Sequence, residues 1–366
     1  MRGWLTCIYL EEKRRKHVFM KPNIFLKRAI LTELLLILAA ISVNGLIPQI
    51  RRACVIYREE KEKEDFIKWL EFTPTCEALS TAYQIDFDTA GQEKHIEWIS
   101  LLAYAAAKTG GDFSAKSIEL MQQLAQNITS GETTLKRETE KLKYYSFYEE
   151  AYQAVLGGMV GDFETSQQGS TELKWQKQYG LKAFSPIAKG FDYSDYDDFG
   201  TSRSFGYSRP HLGHDMMGQI GTPLICIESG TVEALGWNRY GGWRIGIRSF
   251  DQKRYYYYAH MRQNYPYQKC LEEGSIVTAG DVIGYMGHTG YSDKENVNNI
   301  EVTHLHVGLQ IIFDESQKDS DNEIWIDCYP LMQFLRQHQS ETKKRAGSKE
   351  WDRVVQMRDP ACNAVQ

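Results

Sequence analysis

The sequence lacks the features that define several common classes of protein. Its seven cysteines include no C-x-x-C pair, which excludes a thiolate zinc site and a disulfide framework. No stripe rich in lysine and arginine follows the first 30 residues, and the net charge is −5, so we expect no nucleic-acid partner. Hydrophobic residues make up 42% and charged residues 25% of the chain, which excludes a disordered chain and a polytopic membrane protein.

One long apolar run is present, at residues 29–47. As a helix it would span roughly 28 Å, close to the bilayer core of about 30 Å. Seven basic residues lie between positions 13 and 28, and only Arg51, Arg52 and Arg58 follow the run before mixed charge begins. The positive-inside rule therefore predicts a basic cytoplasmic segment at 1–28, a single-pass anchor at 29–47 in the cell membrane, and an extracellular remainder.

Two other interpretations of this run stay open. Glu33 within it would suit a buried helix of a soluble protein. The small residues from Ser42 to Gly45 would suit a signal peptide that is cleaved. The length of 366 residues predicts more than one domain.

Residues 60–165 have a helical pattern. Apolar residues recur there at spacings of three to four, in two sets: Ile96, Ile99, Ala103 and Ala106, and then Ile118, Met121, Ala125 and Ile128. This spacing predicts helices. A third, longer helix is expected from Thr134 to Gly157. We predict a helical spacer domain here, which could also dock a partner protein.

The pattern then changes to short alternating runs punctuated by glycine. Residues 166–184 are predicted as a linker and 185–315 as a mostly antiparallel β domain, with a hairpin turn at Gly241–Gly242. Residues 316–366 are predicted as a C-terminal helical extension, whose small apolar face is formed by Leu331, Phe334 and Leu335. The predicted fold class is therefore α+β.

Five of the nine histidines fall in three short blocks of the predicted β domain. The blocks are HLGHD from His211 to Asp215, YAH ending at His260, and HLH at His304 and His306. Because strand side chains alternate with period two, both histidines of HLH point to one face. Imidazole and carboxylate are ligands that zinc accepts, and a catalytic zinc takes three protein ligands.

The order of these blocks, together with the glycine-rich GDVIGYMGHTG at 280–290, resembles the lysostaphin/LytM-type zinc endopeptidases of cell-wall peptidoglycan. The resemblance covers residues 200–313. It implies that His211, Asp215 and His306 bind Zn²⁺, and that His260 and His304 are metal-free catalytic residues. His214 and His288 are not part of the pattern, and we expect them to contact the ligands or to lie at the surface.

The resemblance implies a zinc endopeptidase that acts on stem or cross-bridge peptides of peptidoglycan. The apolar run would anchor this enzyme in the membrane, and the helical region could dock an activating or wall-complex protein. A zinc-activated water would be the nucleophile, and a metal-free histidine would transfer its proton. Which of His260 and His304 is the base stays open. The alternatives are a scaffold or activator built on the same domain, and a module that binds wall peptide without cleaving it. Intact ligand and catalytic positions favour the enzyme.

Overall fold

Helices come first along the part of the chain that the computed structural model describes, residues 66–167 and 174–363. They are α1 Cys76–Thr89, α2 Trp98–Thr109, α3 Ala115–Ser130, α4 Leu135–Thr139 and α5 Tyr145–Leu156. The Thr75 side chain caps α1 by accepting a hydrogen bond from the backbone N–H of Ala78. Glycines with left-handed backbone end α2 and α3, at Gly110 (φ 73°) and Gly131 (φ 88°), a conformation that favours glycine.

Strands dominate the rest of the described chain. They are β1 Val160–Gln167, β2 Gln176–Leu181, β3 Ser194–Asp195, β4 Ser202–Phe205, β5 Tyr207–Pro210, β6 His214–Met217, β7 Pro223–Ile225, β8 Gly230–Asn238, β9 Gly242–Ser249, β10 Arg254–Ala259, β11 Ile276–Val277, β12 Val282–Tyr285, β13 His304–Ile311, β14 Ile324–Trp325, β15 Thr342–Lys344, β16 Trp351–Arg353 and β17 Val355–Arg358. Two further helices lie among them, α6 Tyr329–Leu335 and α7 Pro360–Asn363.

The main sheet has the strand order β11-β8-β9-β10-β13-β6-β3, and β14 also pairs with β13. Each of these pairs is antiparallel, which confirms the predicted antiparallel β-rich region. Strands β8 and β9 form a hairpin in which Asn238 pairs with Gly242, as the glycine pair at 241–242 predicted. Strand β13 lies between β10 and β6, so its inward-facing side chains have neighbours on both sides.

One continuous apolar core includes residues of the helices and of the sheet, such as Leu101 of α2 and Val307 of β13. Helix α6 contributes Leu331, Phe334 and Leu335 to that core, which confirms their predicted apolar face. The helices and the sheet belong to one compact unit.

Three boundaries differ from those predicted. The predicted helix from Thr134 to Gly157 is two helices, α4 and α5, since charged residues at 140, 141 and 143 interrupt the apolar stripe. The predicted linker at 166–184 contains β2, which pairs with β1, and β1 pairs with β17. The predicted helical extension at 316–366 is helical chiefly at α6 and contributes strands β14 to β17. The pairing of β1 with β17 joins segments far apart in sequence, so local pattern does not reveal it.

The predicted anchor at 29–47 and the basic segment before it lie outside the described residues. Within the described residues, none of the helices has the length and apolar character needed to cross a bilayer.

Candidate metal and catalytic site

Three side chains converge where β6 and β13 pair. Asp215 of β6 lies directly opposite His306 of β13, and His211 lies just before β6. His211 Nε2 is 2.8 Å from His306 Nδ1, and Asp215 Oδ1 is 3.0 Å from each of these nitrogens. Two imidazole nitrogens and one carboxylate oxygen at these distances could hold a metal ion.

Gly213 makes this convergence possible. A Cβ at this position would lie 2.5 Å from Cε1 and 2.7 Å from Nε2 of the His306 ring. Such contacts are too short for any side chain, so only glycine lets the His211 turn approach the His306 ring. The donor set and this close approach fit a zinc ion, which accepts nitrogen and carboxylate oxygen ligands.

Asp198 and Arg203 hold two of the three donors. The Nδ1 of His211 lies 3.2 Å from the backbone carbonyl oxygen of Asp198 and 3.2 Å from Asp198 Oδ2, so its N–H donates to Asp198 and leaves Nε2 free as a ligand. Arg203 Nη2 donates to Asp198 Oδ2 at 2.6 Å and to Asp215 Oδ2 at 3.0 Å. Because Arg203 occupies one oxygen of Asp215, the other oxygen faces the two histidines.

These contacts shift the pKa values of the metal-free side chains. Burial would lower the pKa of His211, but hydrogen bonds with Asp198 and Asp215 raise it to about 9. Burial would raise the pKa of Asp215, but hydrogen bonds with His211 and His306 hold it well below its usual range. Burial would also raise the pKa of Asp198, but hydrogen bonds with His211 and His214 hold it below its usual range. Burial lowers the pKa of His306.

His260 and His304 form a second pair of imidazoles beside these donors, with ring centroids 4.7 Å apart. Nδ1 of His260 lies 2.9 Å from the carbonyl of Thr289, and Nδ1 of His304 lies 2.8 Å from the carbonyl of Val302. Each Nδ1–H therefore donates to a backbone carbonyl, which leaves Nε2 as a proton acceptor in both rings. Burial, followed by repulsion from His304, lowers the pKa of His260.

The backbone at His260 is unusual. Its φ is 61°, in the left-handed region that non-glycine residues rarely adopt. Backbone hydrogen bonds on both sides hold it there, from His260 N–H to the Gly241 carbonyl at 2.7 Å and from Gly287 N–H to the His260 carbonyl at 3.0 Å. Strained residues of this kind cluster at functional sites, and Gly287 belongs to the glycine-rich turn.

A cavity of about 410 Å³ opens over the five side chains and is also lined by Arg209 and by the aromatic rings of Tyr207, Tyr240 and Tyr291. A second cavity of about 500 Å³ shares Leu212, Tyr257 and His306 with the first. The two cavities form a groove that passes the metal donors and continues over β10, β9 and β8.

Comparison with known proteins identifies the sheet region. Residues 209–320 match the model of peptidase family M23. The chain carries a peptidase M23 domain. This result confirms, at the level of the peptidase family, the resemblance carried by the histidine blocks and the glycine-rich turn.

Individual proteins are also similar to parts of this chain. The L-Ala-D-Glu endopeptidase of Bacillus subtilis (strain 168) is 36% identical over 166 residues, 45% of this chain and 47% of that protein. Lysostaphin of Staphylococcus simulans is 35% identical over 89 residues, 24% of this chain and 17% of that protein. A lytM structure from Ruminococcus gnavus covers 75% of this chain and 92% of its own, with 24% identity and a TM-score of 0.47. The chain thus spans less than half the length of these two curated relatives.

The structure brings all five predicted residues of the M23 domain together: His211, Asp215, His260, His304 and His306. His288 donates from Nδ1 to the carbonyl of Ile300, 2.7 Å away, and does not join the donors.

Sequence reasoning missed Asp198 and Arg203, which lie before the matched residues. The acidic loop at 193–198 did contain Asp198, but nothing in the sequence separates it from Asp195 and Asp197.

Proposed function

We propose that the chain is a zinc-dependent endopeptidase that cleaves peptide bonds in cell-wall peptidoglycan. The observation that carries the proposal is the juxtaposition of three convergent metal donors and two imidazoles whose Nε2 atoms are free to accept protons. Three convergent donors alone would also suit a structural metal site. The His260–His304 pair beside it supports hydrolysis.

Zinc, when bound by His211, Asp215 and His306, would supply Lewis acidity, which lowers the pKa of a water and polarises a carbonyl. His304 is our candidate for the base, since its Nε2 is 3.7 Å from Asp215 Oδ1 and hence close to the donors. It would take the proton of the attacking water and return it to the leaving amine. His260 would stabilise charge on the carbonyl oxygen in its protonated form, by donating a hydrogen bond from Nε2–H after Nε2 has taken a proton from the solvent of the groove.

The groove supports an endopeptidase, because a bond inside a peptide needs binding surface on both sides of the donors. Arg209 lines one half and Arg244 the other. The Arg209 guanidinium stacks on the rings of Tyr240 and Tyr291, at 4.9 and 5.6 Å. Within the described residues, neither arginine has a carboxylate partner. Two unpaired guanidinium groups favour a peptide that carries carboxylates.

We therefore propose stem peptides with acidic residues as the substrate, rather than neutral glycine bridges. The name of the Bacillus subtilis relative, an L-Ala-D-Glu endopeptidase, supports an acidic substrate. The glycyl-glycine endopeptidase ALE-1 of Staphylococcus capitis, 33% identical over 89 residues, represents the enzymes named for glycine bridges. A non-hydrolytic scaffold or activator stays the alternative function. The predicted role of the helices in docking a partner also stays a prediction.

The decisive experiment measures zinc content and release of soluble peptides from purified peptidoglycan by the full-length chain. We expect one zinc per chain in the wild type and in His304→Ala, with hydrolysis reduced about 10²- to 10⁴-fold in His304→Ala. Removing the metal with a chelator should abolish hydrolysis, and added zinc should restore it. His95→Gln, in the helical region, is the matched histidine control and should retain both properties. Zinc in both proteins with hydrolysis in neither would support the scaffold.

We propose in addition that residues 29–47 anchor the protein in the cell membrane, with the peptidase outside. In intact cells, the chain should sediment with membranes and be degraded by added protease, leaving a short basic fragment. Full protection from protease in intact cells would contradict this arrangement.

A further inference from the structure

A row of buried polar side chains continues behind His211, away from the groove. His214 and Asp198 are each 1% exposed, and the side chain of Asp195 is 4% exposed. His214 Nε2 lies 3.1 Å from Asp195 Oδ2, and His214 Nδ1 lies 3.7 Å from Asp198 Oδ1. Asp198 Oδ2 in turn lies 3.2 Å from His211 Nδ1, and the backbone carbonyl oxygen of Asp198 accepts a hydrogen bond from the same nitrogen at 3.2 Å. The order Asp195, His214, Asp198, His211 therefore leads directly to a metal donor.

We propose that Asp195, His214 and Asp198, called here the buried relay, are positioning residues that hold the His211 ring in the orientation needed for metal binding. The inference rests on the proposed zinc site and adds residues that the family match does not include, since Asp195 and Asp198 precede residue 209. The relay does not touch the substrate groove. It acts through His211.

Asp198 is the residue of the relay that fixes the orientation of the His211 ring. A histidine that binds a metal through Nε2 must carry its proton on Nδ1, and a carboxylate that accepts this proton fixes both tautomer and orientation. Asp198 is itself fixed by Arg203, whose Nη2 donates to Oδ2 at 2.6 Å. Burial of an unpaired carboxylate costs free energy. The positive charge of Arg203 offsets this cost for Asp198.

His214 holds Asp198 from the opposite side. Asp198 Oδ1 and His214 Nδ1 are both buried without a hydrogen-bond partner, and they face each other. A movement of about half an ångström would bring them to hydrogen-bond distance. Because a buried polar atom without a partner costs roughly 1–3 kcal/mol, closing this pair is favourable. The side chain at 214 therefore restricts the carboxylate that holds His211.

Helix α6 completes the relay from outside the M23 match. Gln333 Nε2 donates to Asp195 Oδ2 at 2.8 Å, and Arg336 Nη1 lies 3.4 Å from Asp195 Oδ1. Phe334 of the same helix contacts Tyr83 of α1, with ring centroids 5.9 Å apart. The relay thus connects the helical region to the metal donor through α6, so that metal affinity should depend on residues remote from the donors.

The test measures zinc affinity of the full-length chain by competition with a chromophoric chelator, and the melting temperature of the metal-free protein. Asp198→Ala should weaken zinc binding about 10- to 100-fold. Asp198→Asn keeps an oxygen that can accept from His211 and should recover part of the loss. His214→Gln and Gln333→Ala should each weaken binding by less than Asp198→Ala does.

The matched control is His338→Gln. The His338 side chain is also largely enclosed, stacks on Phe184 with ring centroids 4.3 Å apart, and bonds the backbone through Nδ1. We expect this variant to lower the melting temperature without changing zinc affinity. A merely structural relay would behave like His338, with loss of stability and unchanged affinity in Asp198→Ala and His214→Gln, and this result would overturn the proposal. Absence of zinc binding in the wild type would instead refute the proposed function.

Discussion

The helices and the main sheet bury charge in different ways. Among the described residues of α1 to α5, Asp86 is the one buried acidic, basic or histidine side chain, whereas the strands and loops bury Asp198, His211, His214, Glu228, Arg248, Arg254, His260, Glu350, Arg353 and Asp359. Buried charges are costly unless they are paired or bind a metal. The sheet region therefore carries the chemistry, and the helices serve chiefly as packing surface.

The single buried charge of the helices fits this difference. Asp86 of α1 accepts hydrogen bonds from the backbone N–H of Trp98 at 2.8 Å and from the Tyr179 hydroxyl at 2.6 Å, and contacts His95 at 2.9 Å. Its partners fix the start of α2 and the position of β2. They surround the carboxylate fully, so that it does not face a cavity or a groove.

Substitution of Arg254 should have the largest effect on stability, because this side chain joins the helices to the sheet. Its guanidinium pairs with both oxygens of Glu228, at 2.7 and 3.0 Å, and its Nη1 donates to the Ala154 carbonyl at 2.7 Å. Ala154 lies in the last turn of α5, where carbonyls lack helical partners. Arg254→Met should lower the free energy of unfolding by about 3–5 kcal/mol, since it leaves Glu228 buried and unpaired.

Urea unfolding of the metal-free chain, followed by tryptophan fluorescence, measures this loss. The double variant Arg254→Met with Glu228→Gln is the control, since it removes the uncompensated charge and should recover part of the stability. A loss below about 1 kcal/mol in the single variant would contradict the idea that this buried pair connects the helices to the sheet.

Arg244 tests the chemistry of the sheet with a smaller expected effect. A hydrogen bond between a guanidinium and a substrate carboxylate contributes about 1.5–3 kcal/mol when buried, and Arg244 is only half-buried. Arg244→Gln should therefore raise KM about tenfold for an acidic stem peptide. The KM for a neutral glycine peptide and the zinc content should stay unchanged.

The control for Arg244 is Arg358→Gln, an exposed arginine on β17 with a side chain that is 58% exposed. It removes the same charge at a distance from the groove. Equal changes in KM for the acidic and the neutral peptide would argue against a carboxylate partner for Arg244. A change in kcat alone would place the effect on the chemical step rather than on binding.

The donor residues could be predicted from the sequence because their spacing is local. Two histidines two apart in a strand share a face whatever the strand pairs with, and His211 and Asp215 are joined by a short turn. The antiparallel pairing of His306 with Asp215 then needs only that β6 and β13 be neighbours. That neighbourhood does not follow from the spacing, and the assignment of the three donors came from the family resemblance carried by the order of the motifs.

The residues that support the donors could not be predicted in this way. Asp198 follows β3, which pairs with β6, and Arg203 lies on β4, which pairs with β5. The relay reaches α6 across more than a hundred residues, from Asp195 to Gln333. The same reason explains the missed pairing of β1 with β17, since the partner strands are almost two hundred residues apart. Short polar strands carry no local signal that names their partner.

Substitution of Thr75 should have the smallest effect on stability, and it changes the helical region alone. Its side chain accepts from the Ala78 N–H at 3.2 Å at the start of α1. Thr75→Ala should cost about 1 kcal/mol of unfolding free energy, as loss of an N-cap usually does. Ser114 precedes α3 in the same position but makes no side-chain capping bond, so Ser114→Ala is a matched control with a smaller loss. Neither residue contacts the relay, so zinc affinity and hydrolysis by both variants should equal those of the wild type. A change in zinc affinity in Thr75→Ala would mean that the helices act on the metal donors and not on stability alone.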